Sequence, residues 1–348
     1  MSEITERSPQ AVSPPGGKPS RGGPSPMRSA MNVLARQREA TVFVVAVVLL
    51  LYFGIKYNST FVSSTNLANL LSETAAPIII IAIGEVFLLI CGEIDLSVGF
   101  VYTFAPFLMH YLIDFYHVPP LPAIIISLLF GLVVGTVNGF LTVTMGLPSF
   151  ITTLGTGFIL LGLTLTTSHA YPAIIPASSV SYGRWIGAAP WSQFIWAVGL
   201  TVIFWIVLNR TKWGLYTIAT GGNQLGAREA GIKTGRIKYG NFMLTSTLGA
   251  LVGLQVAFYV NTIDPSAGGF QPMFYAVTAA VIGGTAMLGG QGTILGAFLG
   301  AIVLATLLDG LNVAGISANP LDIILGAAIL LAMIVNVRLA RLRASGRN

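Results

Sequence analysis

The sequence has little charge, a single cysteine and few histidines. Charged residues make up 9% of the 348 positions, whereas soluble domains carry roughly 25%. This share is too small to cover a water-facing surface, so the composition excludes an ordinary soluble domain and indicates a lipid bilayer. Because Cys91 is the only cysteine, a disulfide framework or a thiolate metal site within one chain is excluded. The histidines His110, His117 and His169 have no metal-ligand spacing, so no metal or other cofactor is expected.

Nucleotide-binding and catalytic patterns are also missing. The sequence contains no G-x-x-x-x-G-K-[ST] phosphate loop, the motif that cradles nucleotide phosphates, so any ATP must bind to another chain. An intramembrane enzyme would need His, Cys or paired carboxylates gathered in one region of the bilayer. The histidines are dispersed, and Glu93 and Asp95 lie at a predicted surface turn. We therefore predict that the chain is not an enzyme.

The lysines and arginines are concentrated in three segments. Residues 1–38, 209–240 and 338–347 hold six, six and four of the 18. Positive residues distributed in this way are typical of cytoplasmic loops and argue against a nucleic-acid partner. We expect all three segments to be cytoplasmic.

Apolar runs alternate with short polar segments through most of the chain. A spanning helix needs about 20 apolar residues, and the runs predict an all-α polytopic membrane protein with about ten transmembrane helices. Residues 1–35, rich in Pro, Ser, Gly and Arg, form a predicted disordered cytoplasmic tail. Residues 36–340 form the predicted transmembrane domain, and residues 341–348 a basic cytoplasmic tail. The predicted spans are Ala40–Ile55, Ala75–Cys91, Val98–Ile113, Pro122–Met145, Phe150–Thr167, Ser192–Leu208, Phe242–Asn261, Ala276–Leu288, Thr293–Leu308 and Leu321–Val337.

Ten spans give a topology in which both termini are cytoplasmic. Six crossings return the chain at the basic loop 209–240, and four more return it at residues 338–347, as the charge bias requires. The fourth and ninth spans run in opposite directions, and each carries glycines at every fourth position. Simple close packing of helices explains such glycines, but an inverted repeat of spans 2–5 and 7–10 would also pair them, as in many transporters. The glycines are Gly131, Gly135 and Gly139, and Gly292, Gly296 and Gly300.

The segment Gly92-Glu93-Ile94-Asp95-Leu96-Ser97-Val98-Gly99 places two carboxylates in a tight turn between the second and third spans. Asp95 and Ser97 can accept backbone N–H bonds and start the third helix. Gly92 and Gly99 permit close approach of backbones. A capped helix start at the membrane surface is the alternative interpretation.

The basic loop after the sixth span contains a predicted short helix, Gln224–Ala230. Asn223 can cap its start, and Gly231 is placed to end it in a left-handed conformation. Arg228 and Glu229 would then be exposed, with Ala227 and Ala230 allowing close approach of a partner. The spacing also fits an ordinary membrane-skimming loop.

Four polar side chains lie within or near the ends of predicted spans: Glu85, Asn138, Gln255 and Asn312. Polar groups inside a membrane are costly and often mark a transport path. Hydrogen bonding to neighbouring helices is the alternative for each of them.

An ordered series of motifs gives a family resemblance. Gly84-Glu85-Val86, leading into Gly92–Gly99, resembles the signature of the ribose/xylose-type ABC sugar permeases. The resemblance covers about residues 38–338. The further matches, in the family's order, are Asn138-Gly139, Pro148-Ser149-Phe150-Ile151-Thr152-Thr153-Leu154-Gly155, Gly221-Gly222-Asn223, Ala230-Gly231-Ile232, Ala280-Val281-Ile282-Gly283-Gly284-Thr285, Gly289-Gly290-Gln291-Gly292-Thr293 and Gly310-Leu311-Asn312.

The resemblance implies the transmembrane permease subunit of an ABC importer, which forms the pathway for a sugar or similar small polar solute. It implies three partners: cytoplasmic ATPase subunits, an extracytoplasmic solute-binding protein and a second permease copy. It also implies the plasma (inner) membrane of a bacterium, and a coupling role for residues 223–231. An ion-coupled secondary transporter is the alternative. It would need acidic pairs at the midplane, where only Glu85 is placed.

Overall fold

The computed structural model describes residues 38–316 and six single residues between 323 and 334. This part of the chain is almost entirely helical, which confirms the all-α expectation. The predicted tails 1–35 and 341–348 lie outside the described residues. The principal helices are α1 (Arg38–Lys56), α2 (Ser64–Ile90), α3 (Val98–Asp114), α4 (Pro120–Thr144), α5 (Ser149–Ser168), α6 (Ser192–Arg210), α7 (Lys212–Gly222), α8 (Gln224–Glu229), α9 (Thr234–Val260), α10 (Phe270–Ile282) and α11 (Ile294–Val313).

Shorter elements connect these helices. Helical segments cover Asn58–Phe61, Ala177–Ser179, Val180–Gly183 and Arg184–Ala188. Strands β1 (Ala173–Ile174) and β2 (Thr262–Ile263) pair antiparallel, so the segments that follow α5 and α9 are joined to each other. Helices α2 and α4 each include a π-helical stretch, Asn69–Ala75 and Phe140–Thr144.

Among the described residues, seven helices are long and apolar enough to cross a membrane: α1, α2, α4, α5, α6, α9 and α11. Helices α3 and α10 are apolar but shorter, with 17 and 13 residues. These helices correspond to the first nine predicted spans, and they support a multi-pass membrane protein. The tenth, Leu321–Val337, falls where the structure describes only single residues, so the count of ten stays a prediction.

Several predicted boundaries were wrong. Helix α9 begins at Thr234 rather than Phe242, α10 begins at Phe270 rather than Ala276, and α11 ends at Val313 rather than Leu308. Helix α2 begins at Ser64, eleven residues before the predicted Ala75. The residues that follow Ser63 are polar and interrupt the apolar run, but they are helical because the Ser63 hydroxyl caps the helix start by accepting the Asn66 backbone N–H at 3.2 Å. Helix α10 ends at Ile282, before the predicted Leu288. Gly284, with φ of 96°, takes the chain out of the helix there.

Helix α2 lies at the centre of the molecule. All of its last turns are buried, including Ile79, Ile80, Ile81 and Phe87, and it packs against α6, α9, α10 and α11. Helix α9 packs against α2, α3 and α4. Helices α1, α5 and α6 instead leave many apolar side chains exposed, as expected for helices that face lipid or another chain.

The evenly spaced glycines of α4 lie against α9. A methyl group at Gly135 would stand 2.5 Å from the Phe242 carbonyl oxygen, so the two backbones are in direct contact. In α11, Gly296 and Gly300 lie against Gly283 and Ala279 of the α10 region. Gly292 lies against the Ile90 side chain of α2. Close packing explains the spacing of both glycine rows, and these contacts by themselves do not test the inverted repeat.

The starts of the two short helices meet inside the protein. The backbone N–H of Gly269, just before α10, donates to the carbonyl oxygen of Gly99 in the first turn of α3, at 3.0 Å. Residues 264–269, which we call the outer turn, thereby reach from β2 to the start of α3. Short helices whose first turns converge inside the protein are a feature of transport folds.

Candidate functional site

Asp95 is the centre of a buried polar cluster. Its side chain has no exposed surface. Its Oδ1 accepts the Ser97 backbone N–H at 2.9 Å and the Ser97 hydroxyl at 2.6 Å. The Asn138 amide of α4 approaches the same oxygen at 3.4 Å, and the Ser246 hydroxyl of α9 donates to Oδ2 at 2.9 Å. The carboxyl group therefore joins the start of α3 to two other helices.

The turn that carries Asp95 is also bound to the start of α5. The Leu96 backbone N–H donates to the Thr153 hydroxyl at 3.0 Å, and the Ile94 N–H approaches the Ser149 hydroxyl at 3.4 Å. The Asp95 carboxyl group is fully buried among these helices, and a buried carboxyl group is stabilised by the hydrogen bonds that it accepts. The Asp95 carboxyl thus depends on its donors.

Glu93 connects this turn to the basic loop. Its Oε1 forms an ion pair with Lys238 Nζ of α9 at 2.6 Å, with both side chains about seven-eighths buried. Lys238 Nζ also approaches the Gln224 amide oxygen at 3.5 Å. A charge-assisted contact of this length is a firm link. Lys238 therefore bridges the α2–α3 turn and the helix α8.

Helix α8 is the short helix predicted from the sequence. The Asn223 side chain accepts the Gly226 backbone N–H at 2.9 Å, and Gly231 has φ of 82° after the helix. The Ile232 N–H returns to the Ala227 carbonyl, which closes the helix end. The helix ends at Glu229, so Ala230 is its C-cap residue rather than part of it.

The exposed face of α8 differs from the predicted one. Ala227 is buried at 6% exposure and packs inward, so it does not offer close approach to a partner. Leu225 is 68% exposed, and Arg228 and Glu229 are also exposed. The Arg228 Nε additionally donates to the Thr234 hydroxyl at 3.1 Å. A large apolar side chain among charged ones is the composition of a contact surface, and the sequence analysis overlooked it.

Glycines allow three turns to meet beside α8. The Gly290 backbone N–H donates to the Ile90 carbonyl oxygen at 2.8 Å. A methyl group at Gly221 would lie 1.5 Å from that same oxygen, so only glycine fits there. The end of α2, the end of α7 and the α10–α11 turn therefore touch through their backbones, and motion of one must displace the others.

The four candidate pathway residues do not form one site. Glu85, Asn138 and Gln255 are fully buried, and Asn138 belongs to the Asp95 cluster. Both carboxyl oxygens of Glu85 and both side-chain polar atoms of Gln255 lack hydrogen-bond partners in the structure. Asn312 is exposed near the end of α11. Exposed Asn312 therefore lies in a different environment from the three buried side chains.

The outer turn repeats the Asp95 arrangement and was missed by the sequence analysis. Asp264 Oδ1 accepts the Ser266 backbone N–H at 2.8 Å and the Ser266 hydroxyl at 2.7 Å, as Asp95 does with Ser97. Both Asp264 and Ser266 are exposed, unlike their counterparts. The available signal was the pattern Ile-Asp-x-Ser-x-Gly, which occurs at residues 94–99 and again at 263–268.

Comparison with known proteins decides the family. The family model described as the permease component of branched-chain amino acid transport systems matches residues 66–334. The chain belongs to this permease family. Its relatives place it among the ribose/xylose-type ABC sugar permeases.

The permease is similar to several sugar import proteins. It is 38% identical to the xylose/arabinose import permease protein XylH of Sulfolobus acidocaldarius, over 88% of this chain and 87% of the relative. It is 32% identical to the ribose import permease protein RbsC of Bacillus subtilis, over 80% and 87%. It is 29% identical to the fructose import permease protein FrcC of Rhizobium meliloti, over 85% and 84%. No solved structure matches the permease.

Several motifs of the permease gather at one end of the fold. The Gly92–Gly99 turn bonds to Ser149 and Thr153 of the Pro148–Gly155 motif. The Gly221–Asn223 and Gly289–Thr293 motifs meet at the Ile90 carbonyl. These motifs are far apart in the chain, and the fold brings them together beside α8.

Proposed function

We propose that the chain is the transmembrane permease subunit of an ATP-driven importer and forms the pathway for a sugar or similar small polar solute. The named relatives import xylose or arabinose, ribose and fructose, which supports a sugar as the solute class. The observation that carries the proposal is α8. This capped helix has an exposed Leu225 and is joined through Lys238 to the buried turn of Glu93 and Asp95.

Coupling then follows a short mechanical route. An ATPase subunit binds the exposed side of α8 and moves it when ATP binds or is hydrolysed. The movement passes through Lys238 to Glu93, and through the glycine contacts at Ile90 to α2. The Asp95 cluster connects that turn to α3, α4 and α9, so displacement of α8 reaches these three helices.

The helix contacts also support an inverted repeat of spans 2–5 and 7–10. Such a repeat pairs α2 with α9, α3 with α10 and α4 with α11. In such a repeat, a contact between two helices recurs between the two helices that are equivalent to them. The α9–α3 contact then corresponds to α2–α10, the α3–α4 contact to α10–α11, and the α9–α4 contact to α2–α11. All six contacts are present. The Asp95 and Asp264 turns follow the same relation, because each comes just before the start of a paired short helix, α3 or α10.

The remaining partners follow from the proposed role. A solute-binding protein delivers the solute from outside, and a second permease copy completes the pathway. The exposed apolar sides of α4, α5 and α6 offer surface for lipid and for such a copy. The ion-coupled alternative has no support beyond the single buried Glu85.

Orientation is tested by accessibility. The basic loop and α8 are proposed to be cytoplasmic, and Trp185, Trp191 and the β1–β2 ribbon extracytoplasmic, as charge and aromatic biases require. In a Cys91→Ser background, we expect a cysteine at Lys233 to react with a membrane-impermeant thiol reagent only after cells are opened. A cysteine at Tyr171, which is 73% exposed, should react in intact cells. Reaction at Lys233 in intact cells would overturn this orientation.

Coupling through α8 is tested at Leu225. Burial of a leucine side chain contributes about 1.5–3 kcal/mol, so Leu225→Asp should weaken ATPase association by about tenfold or more. Uptake and substrate-stimulated ATP hydrolysis should fall together, while the permease still inserts and folds. The measurements are co-purification of the ATPase and transport in reconstituted vesicles. Leu225→Met, which keeps an apolar side chain, is the matched control. Wild-type association of Leu225→Asp would show that α8 does not contact the ATPase.

A further inference from the structure

An open cleft lies where the outer turn meets α3 and α5. The space there is about 290 Å³, a volume that includes open solvent at the mouth of the cleft. Phe100 and Thr103 of α3, Leu161 and Thr164 of α5, and residues 265, 266, 268 and 269 of the outer turn line it. The Asp95 cluster and α8 do not contribute to this cleft, which we call the outer cleft.

The three hydroxyl groups of the outer cleft already donate their hydrogens elsewhere. Thr103 donates to the Gly99 carbonyl at 3.1 Å, and Thr164 donates to the Leu160 carbonyl at 2.8 Å. Ser266 donates to Asp264 at 2.7 Å. A hydroxyl has one donor and two acceptor positions, so each oxygen retains acceptor capacity. A ligand in the cleft must therefore supply the hydrogen-bond donors.

The rest of the lining is apolar and firmly held. The Phe100 ring packs edge-on against Phe270, with ring centroids 5.0 Å apart. Gly157 leaves room for the ring, because a methyl group there would stand 2.7 Å from it. Leu161 and Pro265 add apolar surface. The cleft thus combines an aromatic ring with acceptor oxygens.

The lining side chains include no ionised group. A zwitterionic amino acid would bring an ammonium and a carboxylate group into the cleft without partners of opposite charge in its walls, which is costly. A monosaccharide is neutral, carries many O–H donors at its edges and has apolar C–H faces. Its chemistry matches the cleft on all three counts.

We propose that the outer cleft is a monosaccharide subsite on the extracytoplasmic part of the pathway. Sugar hydroxyls donate to the oxygens of Thr103, Thr164 and Ser266, and a C–H face of the ring packs against Phe100. The proposal rests on the proposed import function and adds where, and by which groups, the solute is held. A transit site must release its ligand, so the affinity is low.

The first test is protection of a thiol in the cleft. Leu161→Cys in the Cys91→Ser background places a thiol in the lining and keeps all three hydroxyls. The full-length chain in nanodiscs is treated with an impermeant thiol reagent, with D-xylose, D-ribose or D-fructose present. At least one sugar should slow the reaction about fivefold at about four times its dissociation constant. A cysteine at exposed Tyr171 should react at an unchanged rate. Absence of protection by all three sugars, or equal protection at Tyr171, would overturn the proposal.

The second test removes acceptor oxygens without changing side-chain shape. In the Leu161→Cys background, Thr103→Val and Thr164→Val should each reduce protection. Thr156→Val is the matched control, because Thr156 makes the same kind of bond, to the Thr152 carbonyl at 3.1 Å, but does not line the cleft. If Thr103→Val and Thr164→Val both leave protection at the level of Thr156→Val, these hydroxyls do not bind the sugar.

A transport measurement distinguishes failure of the subsite from failure of the proposed function. The Cys91→Ser permease is assembled with its ATPase and binding protein, and uptake of the three sugars and of L-leucine is measured. Sugar uptake without thiol protection would rule out the sugar subsite in the outer cleft but would still support the proposed import function. Uptake of L-leucine alone, together with protection by L-leucine, would contradict both the sugar subsite and the proposed import of a sugar. Sugar uptake, with protection by sugars and none by L-leucine, is the expected result.

Discussion

Asp95→Leu is expected to lower the thermal stability of the permease. The substitution removes the acceptor for the Ser97 N–H, the Ser97 hydroxyl, the Asn138 amide and the Ser246 hydroxyl. A buried donor left without a partner costs about 1–3 kcal/mol. The hydroxyls can turn to other acceptors, and the Asn138 amide keeps its 2.8 Å bond to the Ser97 hydroxyl oxygen. The Ser97 N–H belongs to the backbone and is left without a partner. We therefore expect a loss of about 1–3 kcal/mol, a substantial part of a typical protein's total stability.

The measurement is thermal unfolding of the detergent-purified chain, together with the yield of monodisperse protein. Asp95→Asn keeps one acceptor oxygen and should lie between the wild type and Asp95→Leu. Asp264→Leu is the matched control for stability, because Asp264 makes the same turn bonds to Ser266 at an exposed position. If Asp95→Leu unfolds at the same temperature as Asp264→Leu, the buried cluster does not stabilise the fold.

Local sequence patterns were sufficient to predict parts of this site. The Asp95 turn and the α8 helix were predicted because capping depends on residues two to four positions apart, such as Asn223 and Gly226. The apolar runs placed the first nine helices because span length is a property of contiguous sequence. Boundaries were less certain where a capped polar turn, as at Ser63, extends a helix beyond its apolar run.

The parts that were not predicted depend on contacts between distant residues. Lys238 and Glu93 are 145 positions apart, and nothing in either segment indicates the other. The buried side of α8 was assigned wrongly because a helix of six residues is too short to show an apolar face, so Ala227 appeared available and Leu225 unremarkable. The apolar runs around Glu85 and Gln255 likewise predicted that both residues lie in the membrane. They did not indicate which neighbouring helix each side chain faces.

Gly99→Ala is expected to separate the starts of α3 and α10. A methyl group at Gly99 would stand 1.9 Å from the Gly269 carbonyl oxygen, well inside contact distance. The obstacle is backbone, which cannot move aside as a flexible side chain can. The outer turn must shift, and the Gly269 N–H to Gly99 carbonyl bond is lost with it. Overpacking of this kind costs about 1–3 kcal/mol, and more where both partners are rigid.

The control for Gly99→Ala is Gly155→Ala in α5. No atom lies within 4 Å of the methyl group that alanine would add at Gly155, and alanine in a helix is more favourable than glycine by about 0.5–1 kcal/mol. Gly155→Ala should therefore unfold at the wild-type temperature or slightly above it, while Gly99→Ala unfolds well below. Because residues 268 and 269 also line the outer cleft, Gly99→Ala should in addition raise the reactivity of the Leu161→Cys thiol. Equal unfolding temperatures for the two alanine variants would show that the two helix starts are not in backbone contact.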